Sequence, residues 1–144
     1  MTKKVVKNLA TILANSYSLA LKTQNYHWNV TGQNFKPLHE LFGAQYEELF
    51  EAIDELAERI RALESFVDGS FEAFLQLSQI KSAQQNISAN QMLKDLAHDH
   101  NLLVKLLKEA IVVAQEDKDE ATADMFIERV QIHEKALWMI RASS

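Results

Sequence analysis

Two histidines and two carboxylates have the residue types and the spacing of a transition-metal site. His27 and His39 lie near the start of the chain, and Asp54 and Glu58 follow four residues apart. A spacing of four residues places both carboxylates on one face of a helix. Because carboxylates combined with imidazoles suit a transition metal such as iron, these four residues are the candidate metal ligands.

The distance along one helix decides how these four ligands can meet. His39 and Asp54 are 15 residues apart, which is about 22 Å at a rise of 1.5 Å per residue. They cannot bind one metal ion within one chain. If two copies of the helix pack antiparallel across a twofold axis, His39 of one copy faces Asp54 of the other. The spacing predicts a site shared between subunits, with His27 and His39 from one chain and Asp54 and Glu58 from its mate.

Composition indicates that helices position these ligands. The 144 residues include 3 Gly and 1 Pro, whereas average usage would give about 17 of the two together. Such a chain lacks the turn-forming residues of a β-sandwich or barrel. The absence of cysteine excludes disulfides, thiolate metal sites and cysteine nucleophiles. The length predicts a single domain over residues 1–144.

Apolar residues recur at steps of three and four residues in four long segments. The predicted helices cover residues 4–31, residues 37–64, a segment that opens with the capping box of Ser88 and Gln91, and residues 122–142. Residues 65–87 form a long crossover in which Ser70 caps a short helix. The fold class is therefore all-α: a ferritin-like four-helix bundle with a short extra helix between the second and third long helices.

The second helix has an apolar stripe beyond the one that faces the bundle core. This second stripe contains Phe42, Tyr46, Phe50 and Ile53, about 100° from the core stripe. A twofold mate is the simplest partner for it, and a wide core face is the alternative. The chain contains no Glu-x-x-His sequence, which argues against a di-iron site inside one bundle.

Charge and hydropathy exclude two classes of partner. The net charge of −5 gives no general electrostatic footprint for nucleic acid. No stretch approaches about 18 uninterrupted apolar residues, so no membrane span is predicted. Asn8 and Asn15 interrupt the basic and then apolar start, which favours a helix over a signal peptide. We therefore expect a cytoplasmic protein.

Three blocks of the sequence resemble the Dps family, the mini-ferritins known as DNA-binding proteins from starved cells. The first is NYHWNVTG at 25–32, followed by Asn-Phe at 34–35 and Leu-His-Glu at 38–40. The second is DELAERIR at 54–61. The third comprises TADM at 122–125, HEK at 133–135 and Trp-Met at 138–139. The blocks cover nearly the whole chain, in the order and spacing of the family.

This resemblance implies a hollow dodecamer with a ferroxidase centre at each twofold interface. The di-iron ligands it implies are His27, His39, Asp54 and Glu58, and Trp28 resembles the family's aromatic residue that takes up stray oxidising equivalents. The implied activity is oxidation of Fe(II), preferably by hydrogen peroxide, with ferric mineral stored in the shell. Such an enzyme protects cells from oxidative stress.

An acidic segment before the fourth helix has two interpretations. It contains Asp117, Asp119, Glu120 and Asp124. One interpretation is a solvated turn that also caps the helix. The other, implied by the resemblance, is the lining of a threefold pore through which iron enters, with Asp124 as the best single candidate.

The remaining histidines and the lysines suggest no further site. His98 and His100 lie on different sides of the third helix and are not expected to bind metal, while His133 is predicted to be a hydrogen-bonded core residue. Trp138 is predicted to pack. Near the N-terminus, the basic residues number three: Lys3, Lys4 and Lys7. We therefore expect weak or absent DNA binding, and a nucleoid-binding protective protein with little ferroxidase activity is the alternative function.

Overall fold

Residues 2–144, the part of the chain described by the computed structural model, contain five helices. Four are long: α1 (Thr2–Asn29), α2 (Phe35–Ala62), α4 (Ala89–Glu116) and α5 (Glu120–Ala142). The short helix α3 (Phe71–Leu77) lies in the crossover between α2 and α4. Residues 2–144 contain no strand, and none of their helices is both long and apolar enough to cross a bilayer. The predicted all-α class and the extra helix are confirmed.

Three helices begin about two residues earlier than predicted. In α2 the Phe35 amide donates to the Gly32 carbonyl at 3.1 Å, so the chain already turns before Pro37. Pro37 then occupies the first helical turn, where amide hydrogens have no partner within the helix. In α5 the Asp119 side chain accepts the Thr122 amide at 3.0 Å, which moves the start of that helix to residue 120.

The two predicted serine caps are confirmed. Ser70 accepts a hydrogen bond from the Ala73 amide at 3.2 Å and starts α3. At α4 the Ser88 side chain accepts from the Gln91 amide at 3.1 Å, and the Gln91 side chain accepts from the Ser88 amide at 2.8 Å. This reciprocal pair satisfies two amides that the helix itself leaves unpaired.

The helices pack as two hairpins around an apolar core. α1 lies against α2 and α4 against α5, while α1 also contacts α4 and α3. The predicted core stripe of α2 is buried at Leu38, Leu49, Leu56 and Ile60. Phe42 had been assigned to the second stripe, which is wrong: it is fully buried because it lies one turn after Leu38.

Polar side chains of α1 fix the crossover, whose sequence has no helical periodicity. Asn15 accepts a hydrogen bond from the Gln79 amide at 2.9 Å. The Tyr26 hydroxyl accepts from the Gln84 amide at 3.1 Å and donates to Asp95 at 2.6 Å. Burial and the bond to Asp95 raise the pKa of Tyr26, so its hydroxyl stays protonated and remains a donor.

Candidate metal centre

The short link between α1 and α2 brings the two predicted imidazole ligands together. His27 lies in the last turn of α1 and His39 in the second turn of α2. Gly32, with φ of 112°, allows the chain to reverse between them. The two rings stack with centroids 3.8 Å apart and planes 13° apart, and both side chains are half-buried.

Each imidazole is held by the backbone of the other residue. His27 Nδ1 lies 2.5 Å from the His39 carbonyl oxygen, and His39 Nδ1 lies 2.6 Å from the His27 carbonyl oxygen. A carbonyl only accepts, so each Nδ1 carries the proton and each Nε2 keeps its lone pair. This arrangement fixes ring orientation and raises ligand basicity in metal-binding histidines. Both rings are therefore prepared to bind a metal ion through Nε2.

Gly43 makes room for the His27 ring, and sequence reasoning missed it. A Cβ atom added at Gly43 would lie 3.0 Å from Cε1 and 3.1 Å from Nδ1 of His27. In an α-helix the amide of residue 43 bonds to the carbonyl of residue 39, the same carbonyl that accepts from His27. A glycine inside a helix normally costs stability, and that cost was the available signal in the sequence.

Aromatic side chains surround the stacked pair. Phe35 stacks on His39 at 5.1 Å, and Tyr46 contacts His27 edge-on at 5.2 Å. Tyr46 also meets Phe50, which in turn meets Tyr17. These rings limit the freedom of the imidazoles and continue the apolar face along α2. Trp28, the residue next to His27, is 59% exposed.

The two predicted carboxylate ligands lie near the other end of the same unbroken helix. Asp54 and Glu58 are exposed and close enough that a hydrogen bond to Asp54, together with its charge, raises the pKa of Glu58. Two carboxylates this close repel one another when both are charged, and a bound cation would relieve that repulsion. Fifteen residues of α2 hold Asp54 about 22 Å from His39. Within residues 2–144 no three His, Asp or Glu side chains are placed to hold one metal ion.

The four acidic candidates near α5 have different surroundings. Asp119 caps α5 and pairs with Arg59 at 3.1 Å. Burial alone would raise the pKa of Asp119, but the Thr122 hydrogen bonds and Arg59 outweigh it and lower the pKa. Asp117 is half-buried, while Glu120 and Asp124 are exposed one turn apart on α5.

The other histidines are placed as predicted, whereas Trp138 is not. His98 is exposed, and His100 and His133 are buried with their Nδ1 atoms 2.9 Å apart. Burial, with the nearby Arg129 charge, lowers the pKa of His100 to about 4. Burial also lowers the pKa of His133. Trp138 is 63% exposed, so the prediction that it packs is wrong within the single chain.

Comparisons with known proteins agree with this fold over nearly the whole chain. Residues 6–143 match the ferritin-like domain family. A DNA protection during starvation protein from Brevibacillus brevis is 41% identical over 130 residues, which is 90% of this chain and 87% of that protein. The crystal structure of Dps from Staphylococcus aureus is 37% identical with a TM-score of 0.94, covering 96% and 93% of the two chains.

A third relative is assigned to a superfamily that is defined by its metal site. The Dps structure from Vibrio cholerae is described as a member of a broad superfamily of ferritin-like diiron-carboxylate proteins. It is 32% identical, has a TM-score of 0.93, and covers 97% of this chain and 88% of its own.

Replacing Gly43 by alanine tests how the His27 ring is held. The new Cβ displaces the ring, so Gly43→Ala is expected to weaken Co(II) binding by about tenfold or more in calorimetric titration. Alanine favours a helix over glycine by roughly 1 kcal/mol, so helix propensity does not lower the stability of this variant. Gly69→Ala is the matched control, since nothing lies within 4 Å of its added Cβ. Equal affinity in both variants would contradict this role of Gly43.

Proposed function

We propose that this chain, which belongs to the ferritin-like domain family and within it to the Dps proteins, is a ferroxidase that stores the iron it oxidises. Fe(II) is its substrate, hydrogen peroxide the preferred oxidant, and a hollow dodecamer the store. The observation that carries the proposal is the reciprocally bonded pair of His27 and His39, which leaves two Nε2 lone pairs for a metal ion.

Two chains complete each site in this proposal. The imidazoles of one chain meet Asp54 and Glu58 of a twofold mate, because one α2 helix holds the two pairs far apart. The apolar side chains between these pairs support such a partner. Tyr46, Phe50 and Ile53 are only half-buried in the single chain. Ile53 also lines a groove of about 440 Å³ together with further apolar groups such as Phe71 and Val67.

The donor set suits iron oxidation. Neutral imidazole binds Fe(II) without cancelling its charge, while Asp54 and Glu58 stabilise the Fe(III) that forms. Each Fe(II) ion gives up one electron, and two such electrons with two protons reduce one hydrogen peroxide molecule to two water molecules. Because both electrons are delivered together, no hydroxyl radical is released. Trp28 is placed in this scheme to take up oxidising equivalents that escape.

Iron entry is assigned to the exposed acidic side chains near the start of α5. Glu120 and Asp124 lie on one exposed face and Asp117 is close by in the preceding turn, so they are free to attract cations. Asp119 already caps α5 and pairs with Arg59, and its part in a pore would be to hold the turn in place.

DNA binding is a minor activity in this proposal, although relatives carry DNA protection in their names. Lys3, Lys4 and Lys7 belong to α1, which begins at Thr2, so they lie on a helix rather than on an extended tail. Twelve chains at −5 each carry −60, which repels phosphate.

Mixed shells test the shared site. The assay is anaerobic and is started by adding hydrogen peroxide to Fe(II). Shells built only of His39→Ala chains, or only of Asp54→Ala chains, are expected to oxidise Fe(II) no faster than protein-free buffer does. In a mixed dimer one site carries both defects and the other keeps all four ligands. Shells refolded from an equal mixture are therefore expected to recover about one quarter of wild-type activity, at one peroxide per two irons.

The matched control combines two defects on the same side of the site. A mixture of His27→Ala and His39→Ala leaves every site with a missing imidazole, so it is expected to stay inactive. Recovery in both mixtures, or in neither, would contradict a shared centre.

In the same assay Trp28→Phe keeps the four ligands and is expected to keep the oxidation rate while releasing more spin-trapped radical.

Asp124→Asn tests the entry route. Loss of this charge is expected to slow ferric mineral growth severalfold at saturating peroxide, measured by stopped-flow absorbance, without changing oxidation of the first irons bound. Glu116→Gln, an exposed carboxylate at the end of α4, is the charge-matched control. Equal slowing in both variants would point to net charge instead of an entry site.

Gel-shift assays over a salt series test the DNA assignment. The assembled shell is expected to retard duplex DNA at low salt at most, with no retardation near 150 mM, because three lysines per chain on a negatively charged shell bind phosphate weakly and salt screens that attraction. Lys3→Gln/Lys4→Gln/Lys7→Gln is expected to abolish it. Retardation that resists 150 mM salt would overturn this and favour the nucleoid-binding alternative.

A further inference from the structure

Charged side chains are divided unevenly between two pairs of helices in the bundle. The neighbouring helices α1 and α4 together contain seven lysines and four acidic residues, and all four acidic residues belong to α4. This pair therefore carries a net charge of +3. The pair of α2 and α5 contains six lysines and arginines and eleven acidic residues, a net charge of −5. A chain with a negative total charge thus has one pair of helices of the opposite sign.

Exposed cationic side chains follow one line along α4. Lys94, Lys105 and Lys108 are exposed, and at 100° per residue they fall within about 60° of one another around the helix. His98 and Asn101, also exposed, lie between them on the same face. These five residues form the α4 stripe, which is about 21 Å long at a rise of 1.5 Å per residue.

The acidic residues of α4 leave this stripe without a partner inside the chain. Asp95 and Asp99 both bind the buried Lys22 of α1, at 3.0 and 2.8 Å, so they are directed towards the interior of the bundle. Glu109 borders the stripe and Glu116 lies beyond its end. Among residues 2–144 no carboxylate forms an ion pair with a lysine of the stripe. Its ammonium groups are therefore available to an anion from solution.

The shape of the stripe favours a narrow anionic chain over a broad anionic surface. It is one side chain wide, on a convex helix, and a DNA duplex or a bilayer would also bring phosphates against the acidic residues at its border. A single nucleic-acid strand is narrow enough, but such strands are held by aromatic side chains on which their bases stack. α4 contains no Phe, Tyr or Trp. The chemistry that the stripe can recognise is therefore phosphate alone.

We propose that the α4 stripe binds linear inorganic polyphosphate. Each lysine is a point charge with three donors, and a flexible chain of phosphates can contact all three lysines in turn. Because these contacts are made to one molecule, they hold it although each lysine alone binds phosphate weakly. The twofold contact proposed above lies on α2, whereas α4 packs on α1 and α5, so this site is independent of the proposed iron chemistry.

Fluorescence anisotropy of end-labelled polyphosphate, mixed with the assembled protein over a salt series, tests this site. Wild-type protein is expected to bind at low salt, and the logarithm of its affinity is expected to fall by about 2 per tenfold rise in salt, because each contact to a single chain contributes about 0.7. Lys94→Gln/Lys105→Gln/Lys108→Gln is expected to bind at least about tenfold more weakly. Lys105→Gln/Lys108→Gln is expected to fall between the two, and it decides in place of the triple variant should that variant not assemble.

The matched control removes the same charge from the other pair of helices. Lys36→Gln/Lys135→Gln/Arg141→Gln changes three exposed cations of α2 and α5 and is expected to keep the wild-type affinity within about twofold. Equal weakening in the two triple variants would assign binding to net charge and overturn the proposal. Wild-type protein that does not bind polyphosphate at low salt would overturn it as well, and so would loss of the three stripe lysines without effect.

Other phosphate compounds, used as competitors in the same assay, test the identity of the ligand. Duplex DNA, single-stranded DNA and vesicles containing phosphatidylserine are expected to displace polyphosphate only weakly at equal phosphate concentration. Tighter binding of any of them, lost in Lys94→Gln/Lys105→Gln/Lys108→Gln, would show that the stripe has a different occupant. Orthophosphate cannot connect lysines along a line of about 21 Å. Competition by orthophosphate equal to that of the polymer would contradict recognition of a chain.

Discussion

The continuity of α2 is the constraint on which the arrangement of this protein depends. A helix of 28 residues without a break holds its imidazole end and its carboxylate end apart at a fixed distance. No rotation of His39 or Asp54 can close a gap of about 22 Å. The chain therefore carries its two pairs of proposed metal ligands on different regions of its surface. The half-buried aromatic face between them gives α2 a second surface on which to pack.

Local sequence signals were enough to predict most of the fold. The capping box at Ser88 and the cap at Ser70 are read from residue type and spacing, because both depend on hydrogen bonds within one turn. The meeting of His27 and His39 follows from a short connection between two antiparallel helices. The start of α2 is two residues earlier than predicted because the Phe35 amide already forms a turn with Gly32 ahead of Pro37.

Contacts between distant elements were beyond sequence reasoning. Glycine has low helix propensity, and the reason for Gly43 in α2 is the His27 ring, which packs where a Cβ atom would lie. The path of the crossover could not be predicted from periodicity. Asn15 and Tyr26 of α1 hold its backbone by direct hydrogen bonds, and polar contacts of this kind leave no repeating pattern in the sequence. Arg129 is likewise an ordinary charged residue in the sequence. Its burial depends on the relative placement of three helices.

Polar bridges to α5 and the turn before it hold the middle and the C-terminal end of α2. Arg59 binds Asp119 and Thr122, Glu48 binds Arg129, and the Gln45 amide reaches the Ala136 carbonyl at 3.4 Å. Apolar contacts tolerate sliding, whereas a shift of one helical turn, about 5.4 Å, would break every one of these bridges. Each bridge forms only when its donor and acceptor lie within hydrogen-bond distance, so together they favour one arrangement of the helices. Here they fix the register of α2 against the second hairpin, while the reciprocal histidine bonds fix it against the first.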